Sequence, residues 1–336
     1  MSVTAKELAK KLGLSEAAVS MALNRKQGVS TATRKMVLEA AEKYGYDFTR
    51  IAGRNRQSGP VILVIYTKHG AVVSDTPFFS ELTDGIREKC SEFGCKLNIS
   101  YIYKDDDMNT QIENLMSFDP AGIILLGTEM SREDFQPFSG MKIPKVLLDV
   151  YLHDAEADCV LINNTQGAYM AADYLITHFR CQPGYLRSSY PIINFEERAD
   201  GFYKAIRTHG LSPAKSLVHS LTPSIDGAYA DMKGLLNEAG QAETARAYFA
   251  DNDLIAIGAM RAFREKGYKI PEDIAIIGFD NIPMCNYIEP SLSTVNVPKK
   301  YLGETAVGRI VSLMSARNYV PVKVEIHTNL VLRHST

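Results

Sequence analysis

The sequence predicts a small all-α headpiece of helix-turn-helix type, followed by an α/β body of two lobes with doubly wound parallel sheets. Three observations carry this. First, charge is split: residues 1–57 hold 11 Lys and Arg against 5 Asp and Glu, a balance of +6, while the rest hold 26 against 34, a balance of −8. A basic head on an acidic body suits a polyanion-binding unit attached to something else. Second, capping signals start three short stretches with apolar stripes before residue 45. Third, from Pro60 onward short apolar runs alternate with helical stretches, the pattern of parallel sheets covered by helices. The composition, 46% hydrophobic and 23% charged, excludes disordered and low-complexity classes. No apolar run approaches the roughly 20 residues of a membrane span, and no apolar signal core precedes Leu12, so a cytoplasmic protein with no membrane partner is expected. Cys90, Cys95, Cys159, Cys181 and Cys285 form an odd set without a CxxC pair, which argues against a disulfide framework or a zinc ribbon.

Thr4 followed by Glu7 is a capping box, so a helix starts at Thr4. Leu8 and Leu12 give it one apolar face, and Gly13 ends it in the left-handed conformation. Ser15, with Glu16 in the first turn, caps a second helix striped by Val19 and Leu23. Ser30 caps a third, reaching about Tyr44, with Met36, Val37, Ala40 and Ala41 turned inward. Helix, short glycine-bearing turn and helix make the helix-turn-helix pattern. Thr4, Ser15, Ser20, Asn24, Ser30 and Thr33 are small hydrogen-bonding side chains suited to phosphate oxygens. Capping is the other use of Thr4, Ser15 and Ser30, and the two uses are compatible.

In the body, Val61–Tyr66, Leu97–Tyr103, Gly122–Leu126, Lys145–Asp149 and Val160–Ile162 read as one series of buried strands. Pro183–Leu186, Ser216–Leu221, Ala247–Ala250, Ile274–Phe279 and Ser293–Val297 read as a second. Amphipathic helices fit between them at Phe79–Phe93, Thr165–His178, Glu196–His209, Ile225–Glu238 and Leu254–Lys266. Ligands are expected at the carboxyl ends of the strands and between the lobes. No GxxxxGK[ST], HExxH or GxSxG motif occurs and the seven histidines are scattered, so no catalytic residue, metal or cofactor is expected.

Five head segments, Val3–Ala9, Gly13–Ser15, Ala18–Asn24, Val29–Arg34 and Tyr44–Tyr46, together resemble the headpiece of the LacI/GalR family of bacterial transcriptional regulators. Pro77–Phe79, Glu197–Phe202, Asp251–Asp253 through Ala259, Gly278–Asn281 and Pro290–Val295 extend the likeness over the body. The resemblance implies a periplasmic-binding-protein-like core whose chain crosses between lobes three times, expected near Cys159–Leu161, Pro290–Ser293 and Tyr319–Val322. It implies a headpiece over 1–48, a hinge over 49–59 and a core over 60–336, with an N-lobe of 60–160 and 292–320 and a C-lobe of 161–291 and 321–336. Base edges in the major groove would be read by Glu16, Ala17 and Met21, through cytosine N4 or thymine methyls. In the cleft, the resemblance implies that Phe78 and Phe79 stack on an effector, that Arg198 clamps it, and that Asp149, Asn252 and Asp280 bond its polar groups. Tyr190 and Asn194 join these as specificity candidates, with Phe195 beside them on the loop that enters the Arg198 helix. For Asp149 and Asp280 the alternative is capping of the following turns.

Two departures from the family pattern stand out. In the hinge, Phe48 replaces the usual proline and Asn55 the usual leucine, and Gly53 weakens the helix. Arg50, Arg54 and Arg56 still suit a minor groove or its phosphates, so a hinge with a weak DNA kink is expected, against the alternative of a plain basic linker. In the second lobe, Thr222-Pro223 stands where many members carry an aromatic wall. The function expected is a ligand-responsive repressor, bound as a homodimer to a pseudo-palindromic operator in double-stranded DNA. A small-molecule effector, a sugar or sugar derivative, would sit between the lobes. The chain ends without a leucine heptad, which favours a dimer over a tetramer. The alternatives are a solute-binding protein with an unrelated head, or a global regulator that answers to a protein co-effector.

Overall fold

A computed structural model describes residues 3–23, 28–44, 46, 59–70, 76–238, 243–316 and 320–336. The headpiece is three helices, α1 (Ala5–Leu12), α2 (Glu16–Leu23) and α3 (Thr31–Lys43). Thr4 closes its capping box: Glu7 N donates to Thr4 Oγ1 at 3.3 Å and Thr4 N to Glu7 Oε2 at 2.7 Å. Gly13 ends α1 at φ +63°, a conformation glycine adopts without a steric penalty. Leu8, Val19, Ala22, Val37 and Ala41 fill the small core. Met36 contradicts the expected inward stripe and is 50% exposed. The stripe centres on Val37 and Ala41, and one residue along a helix turns the side chain by about 100°.

The first lobe is a six-stranded parallel sheet, ordered β11-β5-β4-β3-β1-β2. Its strands are β1 (Val61–Thr67), β2 (Leu97–Tyr103), β3 (Gly122–Leu126), β4 (Lys145–Leu148), β5 (Asp158–Ile162) and β11 (Lys323–Ile326). Strand β1 is buried along its whole length, so it reads as a continuous apolar run. Val61, Leu63 and Ile65 face helices α4 (Phe78–Glu92) and α11 (Lys299–Ser315). Ile62, Val64 and Tyr66 face α5 (Met108–Ser117) and α6 (Arg132–Ser139). Edge strand β2 is half-exposed, unlike the buried strand expected.

The second lobe orders its strands β12-β10-β9-β8-β6-β7. These are β6 (Gly184–Ser188), β7 (Val218–Leu221), β8 (Ala247–Ala250), β9 (Ala275–Asp280), β10 (Ser293–Asn296) and β12 (Asn329–Val331). Helices α7 (Asn164–Phe179) and α8 (Ile193–Thr208) pack together, as do α9 (Ile225–Glu238) and α10 (Asp253–Glu265). The sheet is not wholly parallel, since β12 runs antiparallel to β10.

The chain crosses between lobes three times, but each crossing falls later than expected. The first follows β5 at Asn163, the second follows β10 between Val297 and Pro298, and the third lies between β11 and β12 at His327-Thr328. Thus residues 161–162 and 323–326 belong to the first sheet, and 293–296 to the second, against the expected lobe limits. Each strand is held by ladder bonds along its full length, so the chain can leave a lobe only beyond the strand's last paired residue.

Candidate functional site

On the headpiece, the exposed face of α2 carries Glu16, Ala17 and Ser20, with Met21 half-buried at its edge. Val19, Ala22 and Leu23 occupy the opposite, buried face. Ser15 Oγ accepts from Ala18 N at 3.1 Å and caps α2. Ser30 Oγ accepts from Thr33 N at 3.1 Å and lies 2.8 Å from Thr33 Oγ1. Thr4, Ser15 and Ser30 are thus engaged as caps at helix starts, with Thr33 bonded to Ser30, where backbone N–H groups attract phosphate oxygens. Glu16 lies 3.9 Å from Lys6, an exposed pair that a base edge can displace at small cost. Asn24, Arg50, Arg54 and Asn55 lie outside the described residues.

Between the lobes, the carboxyl ends of β3, β4, β8 and β9 converge with the first turns of α4, α8 and α10 on one cleft. Of the eight residues expected there, Phe78, Phe79, Asp149, Asn194, Arg198, Asn252 and Asp280 line it. Tyr190 does not line it; its ring sits 5.1 Å from His69 across the lobe boundary. Phe195 and Pro223 also line the cleft; Thr76, Thr128, Ile162, Ile192 and Leu254 complete the wall and escaped sequence reasoning. Position beyond a strand end, as for Thr128 after β3, was the available signal. The side chains themselves nearly fill the space, leaving a cavity of about 40 Å³.

Asp149 follows β4 at φ +61° and is buried. Its Oδ2 accepts from Thr128 Oγ1 at 2.6 Å, whereas Oδ1 has no partner. Asn194 Nδ2 reaches across the cleft to Asp149 O at 3.3 Å. Burial pushes the Asp149 carboxyl up to about 7, although the Thr128 bond and the Arg198 charge favour its ionised form. Asp280 ends β9 at φ +109° and is likewise pushed up by burial, against the attraction of Arg198 and Lys299.

Arg198 on α8 is buried, and each of its three guanidinium nitrogens donates one bond to the protein. Its Nε donates to Asn164 Oδ1 at 2.9 Å, Nη1 to Asp251 O at 2.5 Å and Nη2 to Asp280 Oδ1 at 3.2 Å. The guanidinium also lies 3.8 Å from the Phe279 ring centroid. The fork expected to clamp a ligand therefore holds three parts of the second lobe and orients Asp280. Asn252 caps α10, its Oδ1 accepting from Ile255 N at 2.9 Å. Two buried acids beside these residues anchor the strand ends. Asp251 accepts from Tyr185 Oη and Ser188 N, and burial raises it to about 6. Asp253 accepts from Thr294 Oγ1 and Ile282 N, and burial raises it to about 7. Phe78 and Phe79 meet edge to face at 5.0 Å and belong to the core as well as to the cleft wall.

The cleft thus combines apolar walls, a buried acceptor without a partner, a second carboxylate, and a guanidinium that spends three of its five N–H donors on the protein.

Residues 4–47 match the model of bacterial regulatory proteins of the lacI family, and residues 189–336 that of the periplasmic binding protein-like domain. The chain is 27% identical over 338 residues to the HTH-type transcriptional repressor PurR of Mannheimia succiniciproducens, covering 99% of this chain and 98% of that one. It is 28% identical over 337 residues to PurR of Pasteurella multocida, with the same coverage. Among solved structures, it is similar to a complex of the transcriptional regulator CelR with cellobiose (TM-score 0.71, 24% identity, 99% and 100% of the two chains). It is also similar to a LacI family regulator of Enterococcus faecium with bound ribose (TM-score 0.70, 25% identity, 82% and 98%). A lac repressor dimer bound to operator and the anti-inducer ONPF has a TM-score of 0.71 at 21% identity, covering 100% and 99%.

Proposed function

We propose that the chain is a DNA-binding repressor of the LacI family of bacterial transcriptional regulators, with a ligand-binding core and no enzymatic role, as its two family matches and its repressor relatives support. In this reading residues 1–48 bind operator DNA, 49–59 form the hinge and 60–336 hold the effector and the dimer contacts. The protein acts in the cytoplasm as a homodimer on a pseudo-palindromic operator. Edge strand β2 supports the dimer: Ile99, Tyr101 and Tyr103 form an apolar stripe on one face, 41–56% exposed, and such an edge calls for a covering partner.

The effector is an uncharged, hydroxyl-rich molecule of the sugar class. The observation that carries this is the unpartnered, buried Oδ1 of Asp149 in a cleft whose guanidinium already bonds the protein through each of its nitrogens. A ligand hydroxyl satisfies that oxygen in either state of the acid, accepting when Asp149 is protonated and donating when it is ionised. The cellobiose and ribose bound by two structural neighbours favour the same class. Because the cavity is so small, the lobes must part to admit a ring, and that change of angle moves the attached hinges. A second reading, a planar nucleobase among Phe78, Phe79 and Phe195, is favoured by the name PurR that the sequence relatives carry.

The test is a thermal-shift panel of sugars, sugar phosphates and nucleobases, followed by operator binding with and without each ligand that binds. Stabilisation by a neutral sugar, coupled to a change in operator affinity, is expected. Stabilisation by phosphorylated sugars alone would overturn the effector class, and stabilisation by a purine base alone would favour the second reading.

A further inference from the structure

The second crossing between the lobes carries a buried cation outside the lining of the cleft. Lys299 opens α11 directly after Val297-Pro298, where the chain passes from the second lobe to the first, and it is only 4% exposed. Its Nζ donates to Asp280 O at 2.9 Å and to Asn281 O at 3.1 Å. The same atom lies 3.5 Å from Val297 O and 3.7 Å from Glu81 Oε2 on α4. Lysine is almost never buried unless paired, and here the partners come from both lobes.

These partners show what the ammonium holds. Asp280 and Asn281 stand consecutively at φ +109° and +56°, and both of their carbonyls meet the one cation. Asp280 is also the carboxylate that receives Arg198 Nη2. The turn on the second-lobe wall of the cleft is therefore gripped twice, through a side chain by its own lobe and through its main chain by α11. On the other side, α11 and α4 form a rigid pair. Lys300 Nζ donates to Glu88 Oε1 at 2.8 Å, and a Cβ on Gly303 would stand 2.4 Å from Leu82 O. Helix α4 begins with Phe78, part of the opposite wall, whose ring centroid is 6.0 Å from Lys299 Nζ. A buried ammonium adds little net stability, because its desolvation offsets its bonds. Its bonds fix a geometry, here that of one lobe against the other.

We propose that Lys299 is a positioning residue for the effector response: its ammonium ties the Asp280–Asn281 turn to the α4–α11 pair, so that a molecule displacing the turn changes the angle between the lobes. This role rests on the reading of the cleft as the effector site, whatever molecule fills it.

The experiment needs no ligand. A donor and an acceptor dye on noncanonical residues at exposed positions 113 on α5 and 204 on α8 report the distance between lobes by energy transfer. The labelled full chain is diluted with unlabelled chain so that only transfer within one molecule is read. Lys299→Met keeps the apolar stem and removes the ammonium. It is expected to keep the native circular dichroism and to add a second population at longer distance. The amides of Asn281 and Ile282, which donate to Thr294 Oγ1 and Asp253 Oδ2, are expected to exchange hydrogen roughly tenfold faster, while those of β1 and β8 keep their native rates. A merely structural role would lower the melting temperature and speed exchange in both sheets alike, with the distance unchanged. That result overturns the proposal, as does no change in any readout. Should Lys299→Met fail to fold, Lys299→Gln keeps an N–H donor on a side chain one atom shorter. It is expected to give the longer-distance population in smaller amount, and a native distance in that variant overturns the proposal. Because no ligand enters, either failure leaves the effector reading of the cleft standing, to be decided by the thermal-shift panel.

Discussion

At the scale of single residues, burial decides what the cleft acids do. Asp149 holds its proton to a pH near 7 because burial disfavours the charged form more than Thr128 and Arg198 favour it. Its ordinary value is far lower, so the folded state binds the proton over a range where the unfolded chain has lost it. This group therefore makes the protein less stable as pH rises from about 4 to about 7, and the loss levels off above that. Asp149→Asn keeps an acceptor for Thr128 and tolerates the left-handed backbone. Its melting temperature is expected to exceed that of the native protein by a few degrees at pH 8, with a gap that narrows toward pH 5. A gap independent of pH would contradict the assignment. Arg198→Ala removes the cation paired with Asp280, leaving only the more distant Lys299, and is expected to cost about 3–5 kcal/mol in a denaturant titration. Asn252→Ala loses only a helix cap, about 1 kcal/mol.

At the scale of elements, the helix pairs approach so closely that glycine is required at their crossings. A Cβ on Gly201 of α8 would stand 2.3 Å from Thr165 O on α7, and one on Gly85 of α4 would stand 2.2 Å from Lys300 O on α11. Gly258 of α10 meets Ile225 O on α9 at 2.4 Å in the same way. Gly201→Ala is expected to force the helices apart and cost about 1–3 kcal/mol. Gly234→Ala on α9 meets open space and is expected to add about 0.5–1 kcal/mol. Chemical denaturation of the two variants should therefore move in opposite directions. The Gly201 station was visible in the sequence as part of Glu197–Phe202, but its reason was not, since it depends on the backbone of another helix.

At the scale of the whole molecule, the separation of charge predicts two behaviours. Operator binding should weaken by orders of magnitude between about 50 and 200 mM salt, because the contacts of a basic head release counterions. Fluorescence anisotropy on a labelled operator measures this, and a flat response would refute the headpiece as the binding unit. A chain lacking residues 1–58 should lose operator binding yet keep its ligand-induced thermal shift. The apolar cluster behind the cleft unites Val61 and Ile310 in the first lobe with Phe202 and Phe279 in the second, so the core has what it needs to fold without the head.

The sequence by itself determined the local structure: Thr4, Ser15 and Ser30 start helices by capping, and the apolar runs from Val61 onward form strands through periodicity. It also brought seven of the eight cleft candidates to the right place, because residues at strand ends follow from where strands end. Only the tertiary structure decided what lies opposite them. Arg198 has its nitrogens filled by Asn164, Asp251 and Asp280, from positions 34 to 82 residues away. The crossings between lobes moved to Asn163, Val297 and His327 because sheet pairing, not chain pattern, fixes where a strand leaves its lobe. The unpartnered oxygen of Asp149 likewise had no trace in the sequence, since a missing partner is a property of the space around an atom and not of its neighbours along the chain.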